Sequence, residues 1–161
     1  MSRIVILDTG VLGMLVHPTE TGEPRECKTW LKQLVLRGVA VYVPEIADYE
    51  LRRELLRMRS AASIRRLDDL KTRLHYAPIT TDAMLKAAEF WAAARSAGKS
   101  TADGKALDAD AILAAQSTVV GGPGDQVIVV RNARLQVPGQ EVGATGAARS
   151  SVENRTAHRL E

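Results

Sequence analysis

The 161-residue sequence has one cysteine, Cys27, and that scarcity closes off whole classes of protein. A lone thiol forms no internal disulfide and supplies none of the paired-cysteine spacings of a zinc scaffold, so a reducing compartment is the expected home. Aromatic residues are also few: Trp30, Trp91, Tyr42, Tyr49, Tyr76 and Phe90 are all there are. Six rings are too few for a platform on which single-stranded bases stack. No stretch approaches the roughly 18 apolar residues that span a bilayer, and the apolar run at residues 4–7 is too short for the core of a signal peptide. The expectation is a cytoplasmic protein with no membrane association, whose contacts with any nucleic acid depend on charge.

What is present is the composition of one ordinary soluble domain: 45% hydrophobic and 25% charged residues, with a net charge of +3. Residues 3–7 (RIVIL) are a β-branched apolar run halted by Asp8, Thr9 and Gly10, the profile of a buried strand ending in a turn. Further strands are expected at residues 39–43, 75–79 and 126–130. Between them lie helical patterns: a short one over 11–16, then 25–36, 45–59, 61–74, 80–97 and one that begins at Asp108 or its neighbour. Pro18 to Pro24 reads as a loop. Short apolar strands alternating with helices predict a three-layer α/β/α sandwich around a mostly parallel sheet of four or five strands. Residues 1–135 carry this pattern. Residues 136–161 lose the apolar periodicity and are expected to form a weakly structured tail.

In a parallel α/β sheet the ligand crevice lies beyond the carboxyl ends of the strands, so polar residues placed there matter most. Asp8 ends the first strand with the Thr9 hydroxyl beside it. It reads equally as an N-cap and as a site carboxylate. Glu50, in PEIADYELRREL, sits one and a half turns into the helix after the second strand; it reads either as a site acid or as the partner of Arg53 in a surface ion pair. Asp108 and Asp110, in LDADAILAAQ, are expected at a helix N-terminus. Two acids there exceed what one cap needs, and Ala111, Ala114 and Ala115 allow the helix to approach the sheet closely.

The order ILDTGVL, PEIADYELRREL, DADAILAAQ, then VIVV followed by RN, resembles the PIN domain of VapC-type toxin ribonucleases across roughly residues 3–135. The resemblance implies an endoribonuclease dependent on Mg²⁺ or Mn²⁺, with Asp8, Glu50 and Asp110 as metal ligands and catalytic acids. It also implies an RNA substrate, a homodimer and a small antitoxin protein that covers the acidic cleft. Thr9 and Asn132 are supporting positions: the family often has a further acid, Asn or Asp after the last strand, and here VVRNAR offers Asn132 and no carboxylate. Asp108 is the substitute for the missing acid, with Asp103 in reserve.

Converging carboxylates repel one another and call for a cation, and hard oxygen donors select Mg²⁺ or Mn²⁺ over zinc. Such an ion neutralises charge developing at phosphorus and acidifies water, so no nucleophilic side chain is needed. Residues 51–73 hold eight basic residues against three acidic ones, a net of +5 that exceeds the charge of the whole chain. Arg52, Arg53 and Arg57 in that segment are the expected phosphate contacts. The glycine-rich GGPGD stretch follows a helix and precedes a strand, the reverse of a phosphate-binding loop. A phosphatase of the haloacid-dehalogenase type needs a second Asp where Gly10 stands. The alternative of another class is a PIN-like module that binds RNA or protein without cutting it, favoured by the absent fourth carboxylate.

Overall fold

A computed structural model of the chain describes residues 2–98 and 104–131; Asp103, Asn132 and the tail at 136–161 lie outside the described residues. The elements run β1 (Arg3–Leu7), α1 (Thr9–Val16), α2 (Gly22–Leu36), β2 (Ala40–Pro44), α3 (Glu45–Arg57), α4 (Ala61–Arg73), β3 (His75–Ala77), α5 (Thr81–Ser96), α6 (Gly104–Val120) and β4 (Gln126–Val130). The four strands form one sheet in the order β3-β2-β1-β4, and each neighbouring pair is parallel. The chain builds outward from β1 through β2 to β3, then crosses back to lay β4 on the other side of β1. This reversal is a topological switch point, and the crevice it opens beyond the ends of β1 and β4 is where ligands of such sheets bind.

The alternation along β1 explains the layers. Val5 and Leu7 face one side and pack with residues of α1, α2, α3 and α4, among them Leu12, Leu34, Leu55 and Leu67. Ile4 and Ile6 face the other and pack with Leu113 of α6, and α5 lies outside α6 through Ala83, Ala87, Ala111 and Ala115. Successive strand residues point to opposite faces, so a strand that is apolar at every position must be covered on both. Ile6 and Leu7 are wholly excluded from solvent, each worth about 1.5–3 kcal/mol of burial. The expected α/β sandwich is therefore the fold, with four strands, all parallel, among the described residues.

Several boundaries differ from those read in the sequence: α1 starts at Thr9 rather than Val11, β3 ends at Ala77 rather than Ile79, α3 ends at Arg57 rather than Arg59, and the starts of α2 and α6 also move, the last of which matters for the site. Helix α2 starts at Gly22, not Arg25, because Pro24 falls in its first turn, where a missing N–H costs nothing. Helix α6 starts at Gly104, ahead of Asp108. Ala106 and Leu107 are strong helix formers that carry the helix back from the acids. Asp108 and Asp110 are thus interior helical residues and not caps, so capping does not account for either.

The two faces meet at Gln116 of α6, which is fully buried. Its Nε2 donates to the Ala77 carbonyl at 2.6 Å, and its Oε1 accepts from the Ile46 N–H, in the first turn of α3, at 3.3 Å. One amide thus ties α6 to the end of β3 and to the start of α3. Gln116→Leu keeps the volume but leaves a buried donor and a buried acceptor without partners, so a loss of about 2 kcal/mol is expected. Urea unfolding of the two proteins measures it, and a loss below about 0.5 kcal/mol would show that the clip is dispensable.

Candidate active site

Asp8 stands at the switch point. Its N–H donates to the Val130 carbonyl of β4 at 3.1 Å, and its carbonyl accepts the Leu12 N–H at 3.0 Å, so the backbone fixes it between strand and helix. Asp8 Oδ1 accepts from the Thr9 N–H at 2.6 Å, which caps α1. The capping role weighed for this residue is therefore met through one carboxylate oxygen. Thr9 turns its hydroxyl the other way, donating to Glu50 Oε2 at 2.7 Å across a separation of 41 residues. A two-residue turn in the sequence thereby joins the end of β1 to the second turn of α3.

Glu50 is half-buried on α3, with Arg53 Nη2 3.8 Å from its Oε1. Arg53 also lies over the Tyr49 ring, 5.4 Å from its centroid. Asp110 of α6 is 54% exposed and faces Arg131, which follows β4 directly, at 3.5 Å. The charges of Glu50 and Asp110 act on Asp8. Burial pushes the Asp8 carboxyl above its ordinary range, the charges of Asp110 and Glu50 push the same way, and the Thr9 N–H and Arg131 pull against them. The structure brings these three acids and Thr9 to one rim. It does not bring Asp108 there: two helical residues turn through about 200°, so Asp108 leaves Asp110's side of α6 and has no ion pair among the described residues.

The expected phosphate contacts on α3 are differently engaged. Arg52 is held by Asp48 (Nε to Oδ1, 2.9 Å) and by Asp68 (Nη2 to Oδ1, 2.7 Å). Arg57 pairs with Glu54 at 2.9 Å. Of the three, Arg53 stands beside the acids. The sequence reading also passed over Asp48, only 4% exposed and bonded to Arg52, to Lys71 at 2.6 Å and to the Tyr76 hydroxyl at 3.2 Å. Burial alone would raise its carboxyl, but the hydrogen bonds from Lys71 and Arg52 outweigh burial and hold it low. Arg131 was missed as well, although VVRNAR displays it at a strand end.

The donors suit a hard divalent ion in kind: carboxylates from three distant segments lie near enough to the switch point for the charges of Asp110 and Glu50 to be felt at Asp8. Among the described residues no three His, Cys, Asp or Glu side chains are already arranged around one point. Each acid of the trio has a protein partner instead: Asp8 on the Thr9 N–H, Glu50 on the Thr9 hydroxyl, Asp110 on Arg131.

By sequence, no family model and no curated protein matches the chain. By structure, it is similar to a chain in the complex of VapBC2 from Rickettsia felis bound to a DNA fragment from its promoter, with 15% identity and a TM-score of 0.62 over 80% of this chain and 87% of that one. It is also similar to a chain of DNA-bound VapBC from Salmonella typhimurium, with 17% identity and a TM-score of 0.53 over 80% and 86%. Among the described residues no helix is long and apolar enough to cross a membrane. With its all-parallel sheet, its switch point and these neighbours, the chain has the fold of the VapC-type PIN domain.

Proposed function

We propose that the chain is a metal-dependent endoribonuclease and the toxin of a toxin–antitoxin pair. One observation carries this reading: the carboxyl of Asp8, which directly follows β1 at the switch point, is raised by burial and by the charges of Asp110 of α6 and Glu50 of α3, and Thr9 bonds both Asp8 and Glu50. Carboxylates gathered at such a cost to ionisation are a mark of function rather than of stability.

Asp8, Glu50 and Asp110 are the residues that would hold Mg²⁺ or Mn²⁺, which supplies charge neutralisation at a phosphodiester and a more acidic water. The chain's own residues prepare that site. Thr9 fixes one oxygen of Asp8 by its N–H and one of Glu50 by its hydroxyl, so both carboxylates are oriented before any ligand arrives. Oriented donors reduce the reorganisation that accompanies binding. Arg53 and Arg131 flank the acids with exposed guanidinium groups, placed to meet the phosphates on either side of a bond held at the rim. A small antitoxin partner belongs to the same reading, supported by neighbours that are themselves VapBC complexes, and a homodimer is part of the proposal.

Incubation of the purified chain with structured RNA and Mg²⁺ or Mn²⁺ tests it. Cleavage that stops with EDTA and returns with excess Mn²⁺ is the expected result; cleavage indifferent to EDTA overturns it. A second reading, a PIN-like module that binds RNA without cutting it, is favoured by the dispersed arrangement of the acids among the described residues. Salt-sensitive RNA binding with no cleavage in either metal supports that module.

A further inference from the structure

We propose that the outer face of α5 is a self-complementary surface on which a second copy of this chain docks, antiparallel, across a two-fold axis at Ala88. This rests on the homodimer proposed for the chain and names its surface, and it stands independently of the acidic rim. Helix α5 is covered on one side only. Ala83 and Ala87 are buried against Ala111 and Ala115 of α6, with Phe90 half-buried beside them. Away from that contact Met84, Leu85 and Trp91 are 46%, 64% and 37% exposed, and Ala88 and Ala92 are exposed between them. The spacing i, i+1, i+4, i+7 and i+8 sets these five residues on one stripe of an α-helix, the pattern of a face that is ordinarily turned to a core. Single exposed apolar residues are common, but a contiguous apolar face marks an interaction site.

The chemistry of the stripe decides what covers it. A nucleic acid needs cations, and the stripe carries one, Arg95 at its end, which lies over the Trp91 ring at 5.0 Å. A helix that lies on a membrane surface flanks its apolar face with Lys and Arg, whereas α5 carries Asp82, Lys86 and Glu89 there, with Lys86 paired to Glu89 at 2.7 Å. The stripe instead matches itself. Reversed about Ala88, Leu85 falls opposite Trp91 of the other copy and Met84 opposite Ala92, while the small Ala88 meets its own image and lets the two helices approach closely. The same reversal lays the Asp82 end of one helix beside the Arg95 end of the other, so that side-chain charges and helix dipoles are both opposed favourably. Two 16-residue helices packed face to face offer less than the roughly 800 Å² per partner of a standard interface. A dissociation constant of about 10–100 µM is therefore expected.

Sedimentation equilibrium of the full chain between about 5 and 500 µM reads the association directly, and the unmodified chain is expected to pass from monomer to dimer over that range. Ala88→Lys and Ala88→Glu each place like charges on the two-fold axis and should weaken self-association by at least about tenfold. Mixing the two variants should restore a dimer of about the original strength, because opposite charges then meet across the axis, an outcome that general loosening of the structure would not produce. Ala88 is exposed, so both variants should fold, which unchanged circular dichroism verifies. A dimer that survives both Ala88 variants, or variants that are weakened and not rescued by mixing, overturns this surface and leaves the homodimer standing. A chain that is monomeric throughout overturns the surface and the homodimer together, while the nuclease reading is judged separately by RNA cleavage. Adsorption of that monomer to phosphatidylglycerol vesicles would then assign the stripe to a lipid surface.

Discussion

Asp8→Asn is expected to lower RNA cleavage by about 10²–10³-fold while leaving the fold intact and slightly more stable. The rate effect follows from charge: Asn has the shape of Asp and one neutral oxygen where the trio needs an anion, and the loss of about 3–4 kcal/mol of cation-dependent stabilisation converts to that factor. The stability effect follows from the cap and from ionisation. Asn accepts the Thr9 N–H as Asp8 does, so the N-terminus of α1 remains satisfied. The Asp8 carboxyl is raised in the folded chain above 3.8, first by burial and then by Asp110 and Glu50. The unfolded state therefore gives up this proton first as pH rises, and the folded state is penalised from about pH 3.8 upward through the folded value, with the full penalty present at neutral pH. Asn removes it. Thermal melts without added metal should show a higher Tm for Asp8→Asn at pH 7, with the difference shrinking as pH falls below 3.8 and Asp8 becomes protonated in both states. A lower Tm at pH 7 would mean that Asp8 serves the fold and not a site held against its own stability.

The features that located this site differ in how far they could be read in advance. The end of β1 at Asp8 was legible because an apolar β-branched run stopped by a polar triplet is a local signal, and the structure ends the strand at Leu7. The start of α6 was not, because Gly104 and Lys105 resemble loop residues until tertiary packing of Ala111, Leu113 and Ala115 makes the helix worth extending. Charge in α3 was legible as a sum and misleading as a surface. Its arginines count toward a basic segment, yet Arg52 is drawn inward by Asp48 and outward by Asp68, a partner 16 residues along that no helical spacing connects to it. Gln116 and Arg131 carry no motif at all. Their roles arise where α6 meets α3 and where β4 comes to lie beside β1, contacts that exist only once the sheet order is set.

Asp48→Ala is expected to destabilise the chain at pH 7 by about 3 kcal/mol, because it removes the common partner of a buried ion-pair network. Asp48 holds α3 to α4 through Lys71 and to β3 through Tyr76, and it sits two residues before Glu50. Deleting it leaves Lys71 and Arg52, each under 30% exposed, facing one another's charge with only Asp68 to answer them. Its carboxyl is held below 3.8, since the bonds from Lys71 and Arg52 overcome the cost of burial, so the stabilisation is complete above pH 3.8 and disappears as pH falls through the lower folded value. The deficit of Asp48→Ala should accordingly be constant from pH 5 to 7 and narrow below pH 4, as chemical unfolding at each pH would record. Pairing the change with Lys71→Met should recover part of the loss, because removing both members of a buried pair spares the survivor's desolvation. If the double variant is as unstable as the sum of the singles, Asp48 acts through Arg52 and Tyr76 alone. If Asp48→Ala costs less than about 1 kcal/mol, the two helices are aligned by their apolar contacts, Leu51, Leu55 and Leu67 among them, and the buried acid adds only orientation to Glu50's helix.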